Sequence, residues 1–332
     1  MNIAIMGRVS YAQLLEKKLP KQHNIIRLPD KYTKKIDIKN INVLITMNWG
    51  KALWGERKPT PMPYFKGLKL IQLPGSGFDG IDFSLLPKNC LVCNVYEHAI
   101  PVAEYVIANL LNNEIMLFQK VKNFKRYNWN DSMLFSLNPK GELNRKKIGI
   151  IGYGRIGKEI AKKLFFFNTD TIVVSRKKIK KSKFFKKNIF TENLIKEANE
   201  LDYLIVACDL NSSSRNLINK KVFDAINKKC VIVNVARGPI INEKDLYQAL
   251  KQKKIAGAIL DAWYNYPSTK NKNCFSPSKY DFNKLKNVLM TPHLSALSQN
   301  LIERRIKVIL QNIESLEKGK KLKNIIYYEK SK

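Results

Sequence analysis

Carboxylates are scarce in this sequence. Only 27 Asp and Glu residues face 60 Lys and Arg across 332 positions, which leaves a formal charge of +33. Histidine is scarcer, with three residues, at positions 23, 98 and 293. The five cysteines are Cys90, Cys93, Cys208, Cys230 and Cys274, an odd count in a long chain, which argues against a disulfide framework. Cys90 and Cys93 form a lone C-x-x-C. A zinc site needs a second pair or nearby histidines, so no metal is expected and both thiols read as buried strand residues. No apolar run approaches the roughly 18 residues of a membrane-spanning helix. The opening residues 1–7 (MNIAIMG) read as a first buried strand rather than a secretory signal. The expectation is a cytoplasmic protein with no membrane partner.

The charge has three readings: nucleic-acid binding, steering of anionic substrates and cofactor phosphates, and compositional drift from adenine- and thymine-rich coding. The lysines are spread along the whole chain, beside abundant Asn, Ile, Phe and Tyr. That spread ranks drift first, steering as its by-product, and specific nucleic-acid binding last.

The length suits two domains. In the first hundred residues, short apolar runs at 3–6, 43–46, 69–72 and 91–94 alternate with polar stretches, the pattern of a parallel α/β sheet. The tract 30–39 has almost no apolar periodicity and reads as surface. Residues 101–118 carry apolar positions at helical spacing behind Pro101, which predicts one long helix linking two domains. Residues 119–146 are basic and irregular and predict a loop with a short helix. A second series follows, with strands expected at 148–152, 171–175, 203–207, 231–235, 257–260 and 288–291. The lysine-rich stretch 176–187 is low in complexity, and 265–280 reads as a loop. A last helix is expected over 300–316, returning to the first domain. The predicted division is 1–100 for the first part of a substrate-binding domain, 101–297 for a dinucleotide-binding domain, and 298–332 for the returning segment.

The chemistry begins at Gly152-x-Gly154-x-x-Gly157. An apolar strand precedes these glycines, and Ile156, Ile160 and Leu164 follow at helical spacing. Gly152 permits the tight turn, Gly154 lets backbone approach a pyrophosphate, and Gly157 lets helix and strand pack closely, with the helix N-terminus facing the negative charge. A carboxylate is missing again at the end of the next strand, where an NAD enzyme holds one for the ribose 2′-hydroxyl. The chain instead has Ser175, Arg176 and Lys177, 18 to 20 residues beyond Gly157. Nothing there repels a 2′-phosphate and Arg176 can grip it with a forked pair of bonds, so NADP is favoured over NAD.

From about residue 70 to 298 the sequence resembles the D-isomer-specific 2-hydroxyacid dehydrogenase family, which includes glyoxylate/hydroxypyruvate reductases. The resemblance rests on six motifs in the family's order: residues 75–82 (GSGFDGID), 102–104 (VAE), the glycine fingerprint, 234–238 (NVARG), 257–261 (GAILD) and 291–293 (TPH). It implies two doubly wound parallel-sheet domains, a Rossmann cofactor domain inserted into a discontinuous flavodoxin-like substrate domain. It also implies an oxidoreductase acting on a small 2-oxo acid and its D-2-hydroxy acid, and a homodimer with the helix near 101–118 as its contact. Arg237 would hold the substrate carboxylate and polarise its keto oxygen. His293 would be the acid and base. Asp261 would bind the nicotinamide carboxamide, Arg155 and Ile156 would lie over the pyrophosphate, and Val235 would join the cofactor set. Ser76 and Gly77 would offer N–H groups to the substrate carboxylate across an interdomain cleft. His98 would lie near that cleft in a structural or substrate-contacting role.

One position departs from the family. Where relatives place a Glu that bonds the catalytic histidine, this chain has Tyr266. A tyrosine can orient an imidazole but brings no negative charge, so the histidine is expected to be more acidic than in Glu-bearing relatives. A second class of function stays open, a non-catalytic nucleotide-sensing regulator or an inactive member on the same fold. Arg237, Asp261 and His293 together favour the enzyme, because a sensor needs the fingerprint but not the acid.

Overall fold

The computed structural model describes residues 1–6, 11–28, 40–50, 65, 67–136, 139–267, 273 and 275–327. The tract 30–39 and Cys274 lie outside them. The chain divides into two units, one of Met1–Glu97, Tyr266–Phe275 and Ser298–Lys332, the other of His98–Asn265 and Ser276–Leu297.

In the first unit, β1 (Asn2–Met6), β2 (Asn24–Leu28), β3 (Val43–Ile45), β4 (Leu70–Gln72) and β5 (Leu91–Cys93) are parallel, in the order β2-β1-β3-β4-β5. This is the flavodoxin-like order. A further strand at Ile325–Tyr327 adds to β5 antiparallel and closes that edge. Successive side chains on a strand point to opposite faces. Ile3 and Ile5 therefore enter one cluster with Leu15 of α1 (Ala12–Lys18), while Ala4 and Met6 enter the other with Trp49 and Phe65. Burial on both faces is why these strands read as continuous apolar runs. The C-terminal helix Gln299–Glu317 covers the first face with Ile306, Ile309 and Ile313. Its fully buried Asn312 donates to Gln72 Oε1 at 2.8 Å and to the Lys323 carbonyl at 3.1 Å, and accepts the Lys323 N–H at 2.8 Å.

The second unit opens with α2 (Ala99–Ile115). The expected single helix over 101–118 is in fact two. Met116 takes a left-handed conformation (φ 56°) and ends α2, and α3 (Leu117–Phe124) follows, running into the segment where a loop with a short helix is expected. Seven parallel strands follow: β6 (Lys147–Ile151), β7 (Asp170–Ser175), β8 (Lys187–Phe190), β9 (Tyr203–Val206), β10 (Val231–Asn234), β11 (Gly257–Leu260) and β12 (Val288–Met290). Their order is β12-β11-β10-β9-β6-β7-β8, the Rossmann arrangement extended by one strand. Helices α4 (Arg155–Phe165), α5 (Leu194–Ala198), α6 (Lys220–Ala225) and α7 (Glu243–Lys251) connect them. Val102, Val106 and Leu110 of α2 pack with Ile160 and Leu164 of α4 against Ile148 and Ile150 of β6. The C-terminal helix is α8 and the final antiparallel strand β13.

Most of the carboxylates in described ion pairs face a single cation, and Asp224 faces two. Asp224 on α6 pairs with Lys220 and Lys254, both at 2.5 Å. Glu114 on α2 accepts the Tyr203 hydroxyl at 2.5 Å and lies 3.3 Å from the Lys146 ammonium. Among the described residues, no helix is long and apolar enough to cross a membrane.

Candidate functional site

Because β6 to β12 are parallel, the loops after their C-terminal ends all emerge on one edge of the sheet. All the candidate residues except Ser76, Gly77, His98 and Tyr266 lie on this edge of the second unit.

The glycine loop after β6 is built as its spacing demands. Gly152 has φ 96°, and a Cβ there would stand 2.8 Å from Cys208 Cα. A Cβ on Gly157 would stand 2.0 Å from the Gly152 carbonyl oxygen. Gly154 differs: nothing lies within 4 Å of its Cβ direction. It is the N-cap of α4, whose 11 residues begin at Arg155 and Ile156, so the first-turn N–H groups, which have no acceptor within the helix, start beside this open position. These features fit a dinucleotide pyrophosphate. At the end of β7, the Ser175 hydroxyl donates to the Lys177 carbonyl at 2.6 Å and accepts from Asn188 Nδ2 at 2.8 Å. Arg176 and Lys177 are exposed. One terminal nitrogen of the Arg176 guanidinium donates to Ser213 Oγ at 3.1 Å, and Ser213 in turn donates to Asn211 Oδ1 at 2.7 Å. The loop after β9 thus holds Arg176 in place. Cys208 in that loop is not an activated thiol, since burial first and Asp209 second push its pKa up to about 11.

The loop after β10 carries Val235, which is buried, and Arg237, which is half-buried. Asn234 shapes it from within, accepting the Ala236 N–H at 3.0 Å and donating to the Arg237 carbonyl at 3.1 Å. Gly238 lets this loop touch the next one, because a Cβ there would fall 2.4 Å from the Trp263 carbonyl. Arg237 is extended (φ −142°), with a terminal guanidinium nitrogen donating to the Ala236 carbonyl at 2.9 Å.

Asp261 follows β11 and is 1% exposed. Its Oδ1 accepts the Thr291 hydroxyl at 2.6 Å and the Leu294 N–H at 2.8 Å, and its Oδ2 accepts the Ser295 N–H at 2.9 Å. His293 lies between these anchors with φ 58°. A left-handed non-glycine residue costs about 1–3 kcal/mol. Three bonds to a charged acceptor, at about 1.5–3 kcal/mol each, outweigh that. Asp261 therefore organises the histidine loop, a role that sequence reasoning missed when it assigned this carboxylate to the nicotinamide alone. The His293 imidazole is held below its ordinary pKa. Burial is the main cause, Arg237 adds to it, and Asp261 opposes it.

Ser76 and Gly77 follow β4 at the C-terminal edge of the first unit's sheet. Asn94, beyond β5, donates to the Ser76 carbonyl at 2.9 Å, and the Val95 N–H donates to the Gly75 carbonyl at 3.1 Å. Tyr266 is half-buried and groups with the first unit, not with His293's. His98 is the N-cap residue of α2, with no side-chain cap bond.

Residues 109–295 match the family described as D-isomer specific 2-hydroxyacid dehydrogenase, NAD binding domain. Human glyoxylate reductase/hydroxypyruvate reductase is 30% identical over 234 residues, which cover 69% of this chain and 68% of the human protein. The D-3-phosphoglycerate dehydrogenase of Methanocaldococcus jannaschii is 28% identical over 268 residues, 78% of this chain and 47% of that protein. The chain spans about half the length of the first curated relatives it matches. A solved NADPH-dependent glyoxylate/hydroxypyruvate reductase from Sinorhizobium meliloti, in complex with NADP and sulfate, has the same fold, with a TM-score of 0.76 at 19% identity over 98% of each chain. With the profile match covering more than half of its length, this chain belongs to the D-isomer-specific 2-hydroxyacid dehydrogenases.

Proposed function

We propose that this protein reduces a small 2-oxo acid of the glyoxylate or hydroxypyruvate type to its D-2-hydroxy acid, with NADPH favoured over NADH. The observation that carries this reading is the gathering of Arg237, Asp261 and His293 on the edge that bears the glycine loop. NADPH, when bound, supplies the hydride that goes to the keto carbon. The N–H groups at the start of α4 hold the pyrophosphate, and Arg176, steadied by Ser213, grips the 2′-phosphate. Arg237 holds the substrate carboxylate and draws charge onto the keto oxygen. His293 gives an imidazole N–H proton to that oxygen as negative charge builds there, and takes it back in oxidation. The lowered pKa of His293 makes it a readier donor at the cost of being less often protonated at neutral pH.

The S. meliloti reductase was solved with NADP, which supports the cofactor assignment. The protein acts as a homodimer in this reading. Phe118, Trp129, Met133, Leu134 and Phe135 are exposed on α3 and the segment beyond it, large and mostly aromatic side chains of the kind interfaces use. The described cysteines are free thiols, as suits a reducing cytoplasm. The test is turnover of a panel of 2-oxo acids with NADPH and NADH, with chiral analysis of the product and sedimentation of the enzyme. Tight NADPH binding without turnover of any 2-oxo acid would replace the reductase with the nucleotide-sensing regulator.

A further inference from the structure

Asp261 has a second layer of partners. The Tyr105 hydroxyl, on α2, lies 2.7 Å from Thr291 Oγ1. Thr291 has one hydroxyl proton, and that proton is directed at Asp261 Oδ1 at 2.6 Å. An ionised carboxylate only accepts, so the proton in the first link belongs to Tyr105. The chain therefore runs one way, from Tyr105 to Thr291 to Asp261. Burial pushes the Tyr105 phenol up to about 12, with the Thr291 bond opposing and Asp261 adding a smaller rise, so it remains a donor throughout the working range.

The backbone of this corner is already held without the phenol. The Trp263 indole N–H donates to the Thr291 carbonyl at 2.7 Å. The Thr291 N–H donates to the Leu260 carbonyl at 2.9 Å, and the His293 N–H donates to the Thr291 carbonyl at 3.0 Å. The Tyr105 hydroxyl adds a dipole aimed, through one intermediate, at the carboxylate that acts on His293. Among the described residues, charged groups acting on the imidazole include Asp261, from the loop after β11, and Arg237, from the loop after β10. Each donor on Asp261 disperses its negative charge and so weakens its hold on the imidazolium proton.

We propose that Tyr105 is a positioning residue for His293. Acting through Thr291 and Asp261, it keeps the imidazole a stronger acid than the bare carboxylate would allow. This rests on the reading of His293 as the proton donor, and the test separates the two. The protein has three histidines, so imidazole NMR resonances of the free protein can be followed against pH and His293 assigned from a His293→Gln variant. Tyr105→Phe is expected to raise the His293 pKa by about 0.5, and Thr291→Val, which removes the direct donor, by about 1. Thr291→Ser keeps the hydroxyl and is expected to restore the wild-type titration. The alkaline limb of kcat/KM for reduction should move upward by the same steps.

An unmoved His293 titration in Tyr105→Phe overturns the proposal, whatever Thr291→Val does and even if the variant loses thermal stability. The titration needs no turnover, so it decides the relay in an enzyme that reduces no 2-oxo acid, where only the functional reading falls.

Discussion

A Cβ on Gly157 would stand 2.0 Å from the carbonyl oxygen of Gly152, whereas one on Gly154, two residues beyond that carbonyl, would meet nothing within 4 Å. Two glycines of one motif are therefore required for different reasons, and mutation can separate them. Gly157→Ala must push α4 off the turn, and overpacking of this kind costs about 1–3 kcal/mol or more. A clearly lowered Tm is expected even without cofactor. Gly154→Ala should change Tm little but weaken dinucleotide binding at least tenfold, because the methyl fills the space backbone N–H groups share with the pyrophosphate. Thermal melts with and without NADPH check both, and equal behaviour of the two variants would refute the separation.

Arg176 sets the second expectation. A charge-assisted contact to a 2′-phosphate is worth about 1.5–3 kcal/mol, or about 10- to 150-fold in affinity. Arg176→Ala should weaken NADPH by that factor and leave NADH nearly untouched. Ser213→Ala, which only frees the guanidinium, should cost less. Isothermal titration with both cofactors at matched ionic strength is the measurement, and a wild-type preference for NADH would reverse the assignment.

The pH dependence follows from the direction of the His293 shift. Reduction needs the imidazolium, and burial holds its pKa below the ordinary value near 6.5. In the free enzyme, kcat/KM for reduction should therefore be highest at acid pH and decline through a midpoint below 6.5, while oxidation rises through the same range. Stability carries the matching sign. Between the folded pKa and 6.5 the unfolded chain binds the extra proton more readily, so this residue favours the fold above that window and disfavours it as pH falls through it. His293→Gln should flatten the acid side of the Tm profile.

Arg237→Lys keeps a positive charge but loses the planar fork. kcat/KM should fall by about two orders of magnitude or more for every 2-oxo acid, since one donor fork serves both carboxylate and developing alkoxide. NADPH affinity should barely change. Steady-state kinetics beside a cofactor titration separate the two effects.

Both sheets were legible where the strands are buried on two faces, as at β1, β6, β9 and β10, because unbroken apolar runs survive any surface composition. β2 was not, since most of it is exposed or half-buried. β8 hides behind a lysine-rich run, and β13 is three residues at an edge. The break at Met116 has no sequence mark, because a left-handed methionine looks like any other helix former. In the site, the glycine loop is local and its spacing states its geometry. The work of Asp261 and Tyr105 depends on partners 30 to 186 residues away, and no periodicity encodes such bonds. Thr291 and Asn234 did sit inside recognised motifs, as neighbours of residues with assigned roles.

Asp224, held by Lys220 and Lys254 at once, shows what the shortage of acid does to the rest of the surface. At this site removing the carboxylate strands two ammonium groups beside each other, whereas removing either lysine leaves the carboxylate still paired. A polycation of this kind recruits its missing negative charge from solution, and its counterion atmosphere becomes part of what keeps it folded. Added salt, which weakens surface ion pairs in a balanced protein, is expected here to relieve more repulsion than it screens attraction and so to raise Tm, with multivalent anions acting at the lowest concentration.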